Sequence, residues 1–272
     1  MNIDSQSFNR RAVRPMVCLS EGWQLLKGHY WLFLGITLVG MILGGMAPLG
    51  ILMGPAFCGI HYCLFRRERG QRVSFDMLFR GFDYFAQSLI ATLIMVLPMI
   101  VLILGAYLLF VVGMFGTIAV MPRPVPGQPP DPEILVIFVS LIALYVFAIT
   151  AISIVFNLLF FFTYPLIVDR GLSGSQAVKL SIRAAFNNFF GVLGVILIGQ
   201  LLGFLGVLGC YVGVIFVLPI SFAMNAAAYR QVFAREEMSA EDAPQPEELE
   251  PIAPITGPSE TGIQSTPEDK PM

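Results

Sequence analysis

Charge is what the apolar parts of this chain lack. Residues 31–65, 88–121, 134–168 and 189–229 hold almost no Asp, Glu, Lys or Arg, and over the whole chain only 12% of residues are charged against 56% hydrophobic. A soluble globular domain carries about a quarter charged residues. An apolar run of about 18 residues is long enough to cross a hydrocarbon core of ~30 Å as a helix. Four such runs exclude a soluble protein. Histidine is nearly absent too, with only His29 and His61. The four cysteines (Cys18, Cys58, Cys63 and Cys210) form no Cys-x-x-Cys pair and have no histidine at metal spacing, which argues against zinc and against a disulfide framework. No Ser/His/Asp set, His-Glu-x-x-His helix or phosphate-binding loop is visible. No catalytic, cofactor-binding or metal-ligating residues are therefore expected, nor a nucleic-acid partner, and the protein reads as a non-enzyme.

The first apolar run begins only at residue 30, behind a polar stretch longer than the positively charged start of a signal peptide, so residues 31–47 read as a retained helix. Within residues 31–65, Pro48-Leu49-Gly50 is a natural turn, giving spans at about 31–47 and 50–66. Residues 189–229 divide near Gly206–Gly209 into spans at about 189–207 and 211–230. Residues 88–120 and 134–168 read as one long span each, separated by the Pro-rich loop Pro122–Pro132. Each would be roughly 50 Å long at 1.5 Å per residue, so it must tilt, bend (Pro98 is a candidate kink) or project from the bilayer. Eight shorter spans are the competing count. With six spans and an internal N-terminus, all but Arg123 of the 16 Lys and Arg residues fall on one side, as cytoplasmic loops require.

The expected architecture is all-α: a polytopic protein of about six transmembrane helices in three hairpins, each preceded by an amphipathic interfacial helix. Residues 1–15 form an N-terminal cytoplasmic segment, 16–235 the membrane domain, and 236–272 a cytoplasmic tail. The tail is acidic, carries seven prolines and no aromatic residue, and is expected to be disordered and available to a protein partner. The membrane is expected to be the cell membrane.

An R-G-x-x-x-S pattern occurs at Arg69–Ser74 and again at Arg170–Ser175. Arg complements the negative end of a departing helix, Gly takes the left-handed position beyond it, and Ser caps the next helix; Ser173-x-x-Gln176 offers an alternative capping box. The helix that follows is amphipathic in each case, with Phe75, Leu78, Phe79, Phe82 and Phe85 on one face in the first copy and Val178, Ile182, Phe186 and Phe189 in the second. Trp23, Leu26 and Tyr30 repeat the pattern near the N-terminus. The returning spans Pro55–Arg66 and Pro219–Arg230 have identical spacing, which sets His61 opposite Asn225; the middle unit has Pro165 at the aligned place.

Gly54-Pro55, Arg69-Gly70-Gln71, Ser74, Leu78-Phe79-Arg80-Gly81-Phe82 and, later, Tyr164-Pro165-Leu166-Ile167-Val168-Asp169-Arg170-Gly171 resemble a widespread class of uncharacterised bacterial integral membrane proteins. These are also similar to the membrane domain attached to some glycerophosphodiester phosphodiesterases. The resemblance covers roughly residues 16–235 and implies a six-helix membrane fold without a known reaction. No phosphodiesterase catalytic domain accompanies it here.

His61 is the clearly embedded titratable side chain besides cysteine and tyrosine. With Asn157, Gln200 and Asn225 it reads first as a set of interhelical hydrogen-bond partners; the sharper reading has His61 and Asn225 facing each other in a small intramembrane polar site. Arg66, Arg67, Arg69 and Arg72 fix topology and also form a candidate contact for anionic headgroups. Gly40/Gly44, Gly50/Gly54, Gly199/Gly203 and Gly209/Gly213 are small-residue packing pairs. Residues 134–168 lack glycine and carry Phe156, Phe160, Phe161 and Phe162, so they are expected to face lipid. The leading functional expectation is a non-catalytic, lipid-contacting scaffold or accessory factor. The alternative is a permease or channel for a small neutral or lipid-like solute, favoured if a polar cavity joins His61, Asn157, Gln200 and Asn225.

Overall fold

The computed structural model describes residues 8–120, 132–209 and 212–233. The tail 236–272, most of the Pro-rich loop, Cys210, Arg123, Arg235 and Lys270 lie outside the described residues. Residues Met1–Ala234 form one compact unit. Its described part is helical without a strand: α1 (Pro15–Leu26), α2 (Tyr30–Met46), α3 (Met53–Glu68), α4 (Phe85–Val120), α5 (Pro132–Phe160), α6 (Thr163–Arg170), α7 (Gly174–Asn187), α8 (Phe189–Leu208) and α9 (Val212–Val232).

Four helical stretches are long and apolar enough to cross a membrane, Phe75–Ala119, Glu133–Arg170, Phe189–Leu208 and Val212–Val232. A fifth joins them if α1 and α2, which meet at a bend of 102°, count as one. A multi-pass membrane protein requires helices of this kind. The stretches expected at 31–47 and 50–66 form helices of 17 and 16 residues, about 25 Å each and shorter than the hydrocarbon core.

Glycine and proline set the chain reversals. Pro48–Gly50 forms a 3₁₀ turn with Gly50 at φ 66°, and Gly70 (φ 73°) and Gly171 (φ 59°) take the left-handed conformation after α3 and α6. The serines act differently from expectation. Neither Ser74 nor Ser173 makes a side-chain cap hydrogen bond, although both have the extended backbone of a cap residue. The helix continues through Pro98.

The first expected interfacial α-helix is a 3₁₀ helix, Phe75–Tyr84. Its three-residue turn stacks Leu78 over Gly81, the two buried residues of the segment, against α3. A Cβ at Gly59 or Gly81 would collide with backbone atoms of the other element, so this seam needs both glycines. The residues expected to share one apolar face differ in burial: Leu78, Val178 and Leu26 are buried, whereas Phe75, Phe79, Phe85, Phe186, Phe189 and Trp23 are exposed.

Each short segment lies on a longer helix. On α1, Gly22 approaches the backbone of Ala223 and Met224 of α9 so closely that a Cβ would come within 2.9 Å of Met224 N. Ser181 of α7 donates its Oγ–H to Leu159 O (2.9 Å) and accepts from Phe162 N–H (3.1 Å) at the end of α5. The described part of the N-terminal segment is tied down as well: Asn9 N–H donates to Val232 O (2.8 Å) and Ala12 N–H to Asn188 Oδ1 (2.8 Å).

Packing corrects two glycine assignments. Gly40 and Gly44 do face α3, at Ile60 and Met53, and Gly54 faces Ser88 and Thr92 of α4. Gly203, however, meets nothing within 4 Å and Gly199 only Ser221 Oγ at 3.9 Å. The close approach of α8 to α9 is made by Gly206 against Gly213 rather than by Gly209. The exposed apolar surface expected of 134–168 is present, but it lies away from Phe156, Phe160 and Phe162. Phe156, Phe160 and Phe162 are buried, and the exposed apolar surface belongs to the first part of α5, including Leu135, Val136, Val139 and Phe147.

Candidate intramembrane polar site

Pro165 has no N–H to donate to the carbonyl four residues earlier. The Phe161 carbonyl, at the break between α5 and α6, is therefore free of a helical partner, and Asn225 Nδ2–H of α9 donates to it at 2.8 Å. Asn225 Oδ1 lies 3.1 Å from His61 Nε2 on α3, and His61 Nδ1 lies 2.8 Å from Phe57 O one turn back. Three elements thus meet through one imidazole and one amide. His61 is buried and Asn225 half-buried.

These two side chains line a cavity of about 520 Å³ that Asn157 and Gln200 also line. The structure brings all four polar residues singled out in the sequence to one space. They play different parts. Asn157 donates Nδ2–H to Ser153 O at 2.9 Å, within α5. Gln200, on α8, is exposed, and its side chain has no hydrogen bond to any described residue. The remaining wall is mostly Met and Phe, including Met53, Met95, Met99 and Phe156, and no Asp, Glu, Lys or Arg lines it. The volume falls within the ~300–1,000 Å³ typical of small-molecule pockets, and the few-polar, mostly apolar lining is typical as well.

Beyond His61 the bundle is closed by aromatic rings. His61 packs on Phe65 (centroids 6.2 Å), Phe65 on Tyr229 (5.4 Å), and Tyr229 on Phe233 (4.9 Å). Past them lies an ion-pair knot. Arg230 Nη1 and Nη2 donate to the two carboxylate oxygens of Asp169, Arg230 Nε donates to Glu68, and Tyr229 Oη–H donates to Asp169 Oδ2 (2.9 Å). The Arg230 guanidinium also lies 4.5 Å from the centre of the Phe65 ring.

The arginine cluster does not act as a unit. Arg69 Nη2 donates to Asp169 Oδ1 (3.2 Å) and Arg66 Nη1 to Tyr62 Oη (3.2 Å), while Arg67 is half-buried and Arg72 exposed. Sequence reasoning missed Glu68, Asp169 and Arg230. The available signal was the acidic residue directly before Arg-Gly in both Glu68-Arg69-Gly70 and Asp169-Arg170-Gly171. Among the described residues no group of three His, Cys, Asp or Glu side chains could hold a metal ion.

Comparison with known proteins adds nothing to this geometry: no protein family, curated protein or solved structure matches the chain.

Proposed function

We propose that the protein is a non-catalytic, permease-type membrane protein that binds a small neutral or lipid-like solute in the cavity joining His61, Asn157, Gln200 and Asn225. The observation that carries this reading is the cavity itself, where His61, Asn157, Gln200 and Asn225, with the hydroxyls of Ser153, Tyr164 and Ser221, stand in a wall that holds no charged residue. A charged ligand would find no counter-charge there, whereas a neutral amphiphile would find both apolar surface and hydrogen-bonding groups.

In the same proposal the chain crosses the cell membrane six times as three hairpins, with both termini cytoplasmic and α2–α3 as the short first pair. The hairpins are copies of one unit. In support, α1 packs on α9, the Phe75–Tyr84 segment on α3, and α7 on α5 and α6 as well as on α4. Each short segment thus lies on the returning helix of the unit before it, and the first on the last, which closes a ring. The tail 236–272 is the docking segment for a protein partner, a reading supported by its acidic, Pro-rich composition. The family resemblance of the motifs supports the six-helix count and gives no reaction.

A scaffold without a solute is the second reading, favoured by the close glycine seams at Gly22, Gly59, Gly81 and Gly206. Native mass spectrometry of the purified chain separates the two. The solute reading expects a retained neutral adduct that is lost in Gly199→Phe, whose ring would fill the cavity from a position where a Cβ meets only Ser221 Oγ. A protein with no adduct, or one whose adducts survive Gly199→Phe, would leave the scaffold reading standing.

A further inference from the structure

The polar chain across the bundle is one hydrogen short. Its two ends are carbonyl oxygens: Phe161 O, freed by Pro165, needs a donor, and Phe57 O, which already takes the helical N–H of His61, lies 2.8 Å from His61 Nδ1, too close for two acceptors without a hydrogen between them. Between them stand the two ring nitrogens of His61 and the two ends of the Asn225 amide. A neutral imidazole has one N–H and one lone pair. If Nδ1–H donates to Phe57 O, the lone pair of Nε2 faces Asn225 Oδ1, acceptor against acceptor. Turning the amide over gives Nε2 a donor but sets Oδ1 against Phe161 O, and the other tautomer leaves Phe57 O facing a lone pair. The shortfall is the same for every tautomer and amide orientation, so it does not depend on how those are assigned. An imidazolium would supply the hydrogen, but a buried cation with no carboxylate in the cavity wall is costly at this depth.

We infer that the missing hydrogen comes from the ligand, and that the cavity therefore takes a neutral long-chain alcohol. This rests on the solute-binding reading above and names its substrate class. The alcohol O–H donates to the unmatched acceptor at the His61–Asn225 junction, with Nδ1–H kept on Phe57 O and Asn225 Nδ2–H on Phe161 O. Gln200, without a partner among the described residues, lines the same cavity and offers an N–H to the alcohol oxygen. The alkyl chain lies along Met95, Met99 and Phe156. A hydrocarbon or an ether of equal length satisfies the apolar wall but brings no hydrogen.

The test compares 1-dodecanol with dodecyl methyl ether on the full-length protein in an amine-oxide detergent, which carries no hydroxyl. Adducts are titrated by native mass spectrometry. One added hydrogen bond in an apolar site predicts roughly tenfold tighter binding of the alcohol. In His61→Phe the preference should collapse towards one while the ether still binds. The wild-type comparison stands even if that variant does not fold. Equal affinity for alcohol and ether in the wild type would overturn the alcohol inference and leave the cavity reading intact; binding of neither would sink both. ¹⁵N spectra of His29→Gln protein, in which His61 is the remaining histidine, add an independent check. A neutral ring that shifts on adding 1-dodecanol is expected, and an imidazolium at neutral pH without ligand would overturn the inference.

Discussion

Arg230 and Asp169 form a two-pronged ion pair, with Nη1 on Oδ2 and Nη2 on Oδ1 at 2.9 Å each. The pair joins the end of α9 to the end of α6, and Glu68 brings in α3 through Arg230 Nε at 2.8 Å. Both side chains are largely buried, at 13% and 11% exposure. Charge thus holds the carboxyl-terminal ends of α3, α6 and α9 together.

Removing Asp169 leaves Arg230 and Arg69 without their shared carboxylate. Asp169→Ala is expected to destabilise the protein by about 3–5 kcal/mol, the range for stranding one partner of a buried pair. Tyr229→Phe, which deletes one hydrogen bond to the same carboxylate, should cost about 1.5–3 kcal/mol. Denaturant titrations in detergent followed by circular dichroism measure both. An Asp169→Ala protein as stable as the wild type would show that the knot contributes no stability.

The seam between α3 and the Phe75–Tyr84 segment admits no side chain at Gly59 or Gly81. Gly59→Ala and Gly81→Ala are expected to lose several kcal/mol, because backbone rather than a movable side chain blocks the added methyl. Gly105→Ala is the matched control, since a Cβ there meets nothing within 4 Å, and it should leave stability unchanged or slightly higher. Thermal melts of the three variants decide it.

Of the four clustered arginines, Arg72 is exposed whereas Arg69 is held by Asp169. Arg72→Gln is expected to lower the share of anionic lipid that co-purifies without changing stability, each such charge being worth about 1 kcal/mol near an anionic leaflet. Arg69→Gln should instead lower stability. Lipid analysis alongside melting curves distinguishes the roles, and an unchanged lipid profile in Arg72→Gln removes the headgroup contact.

Orientation is open to cysteine labelling. Cys18, Cys58 and Cys63 are fully buried, so they give little background. In a Cys210→Ser background, a cysteine at Gly127 should react with an impermeant thiol reagent added to intact cells. Reaction only after lysis would reverse the assignment of sides.

The membrane character was legible because hydropathy acts residue by residue: the uncharged runs become α2 to α5, α8 and α9 wherever they end up packed. Turn chemistry was legible for the same reason, since a left-handed backbone at Gly50, Gly70 and Gly171 is a local demand. The equal spacing of Pro55–Arg66 and Pro219–Arg230 matched His61 with Asn225 in the sequence. It could not show that Pro165 works by what it lacks, freeing the Phe161 carbonyl for Asn225. Nor could periodicity tell that residues 75–84 wind as a 3₁₀ helix, because that depends on Gly59 standing across from Gly81.

The amino-acid order by itself determined how much of the chain is helix, where it turns and that several helices suit a bilayer, since each follows from side-chain polarity and backbone freedom within a few residues. Tertiary structure alone decided which polar groups meet. The junction of His61 with Asn225, and of Glu68, Asp169 and Arg230, joins residues as far as 164 positions apart, and such pairings are set by packing between helices.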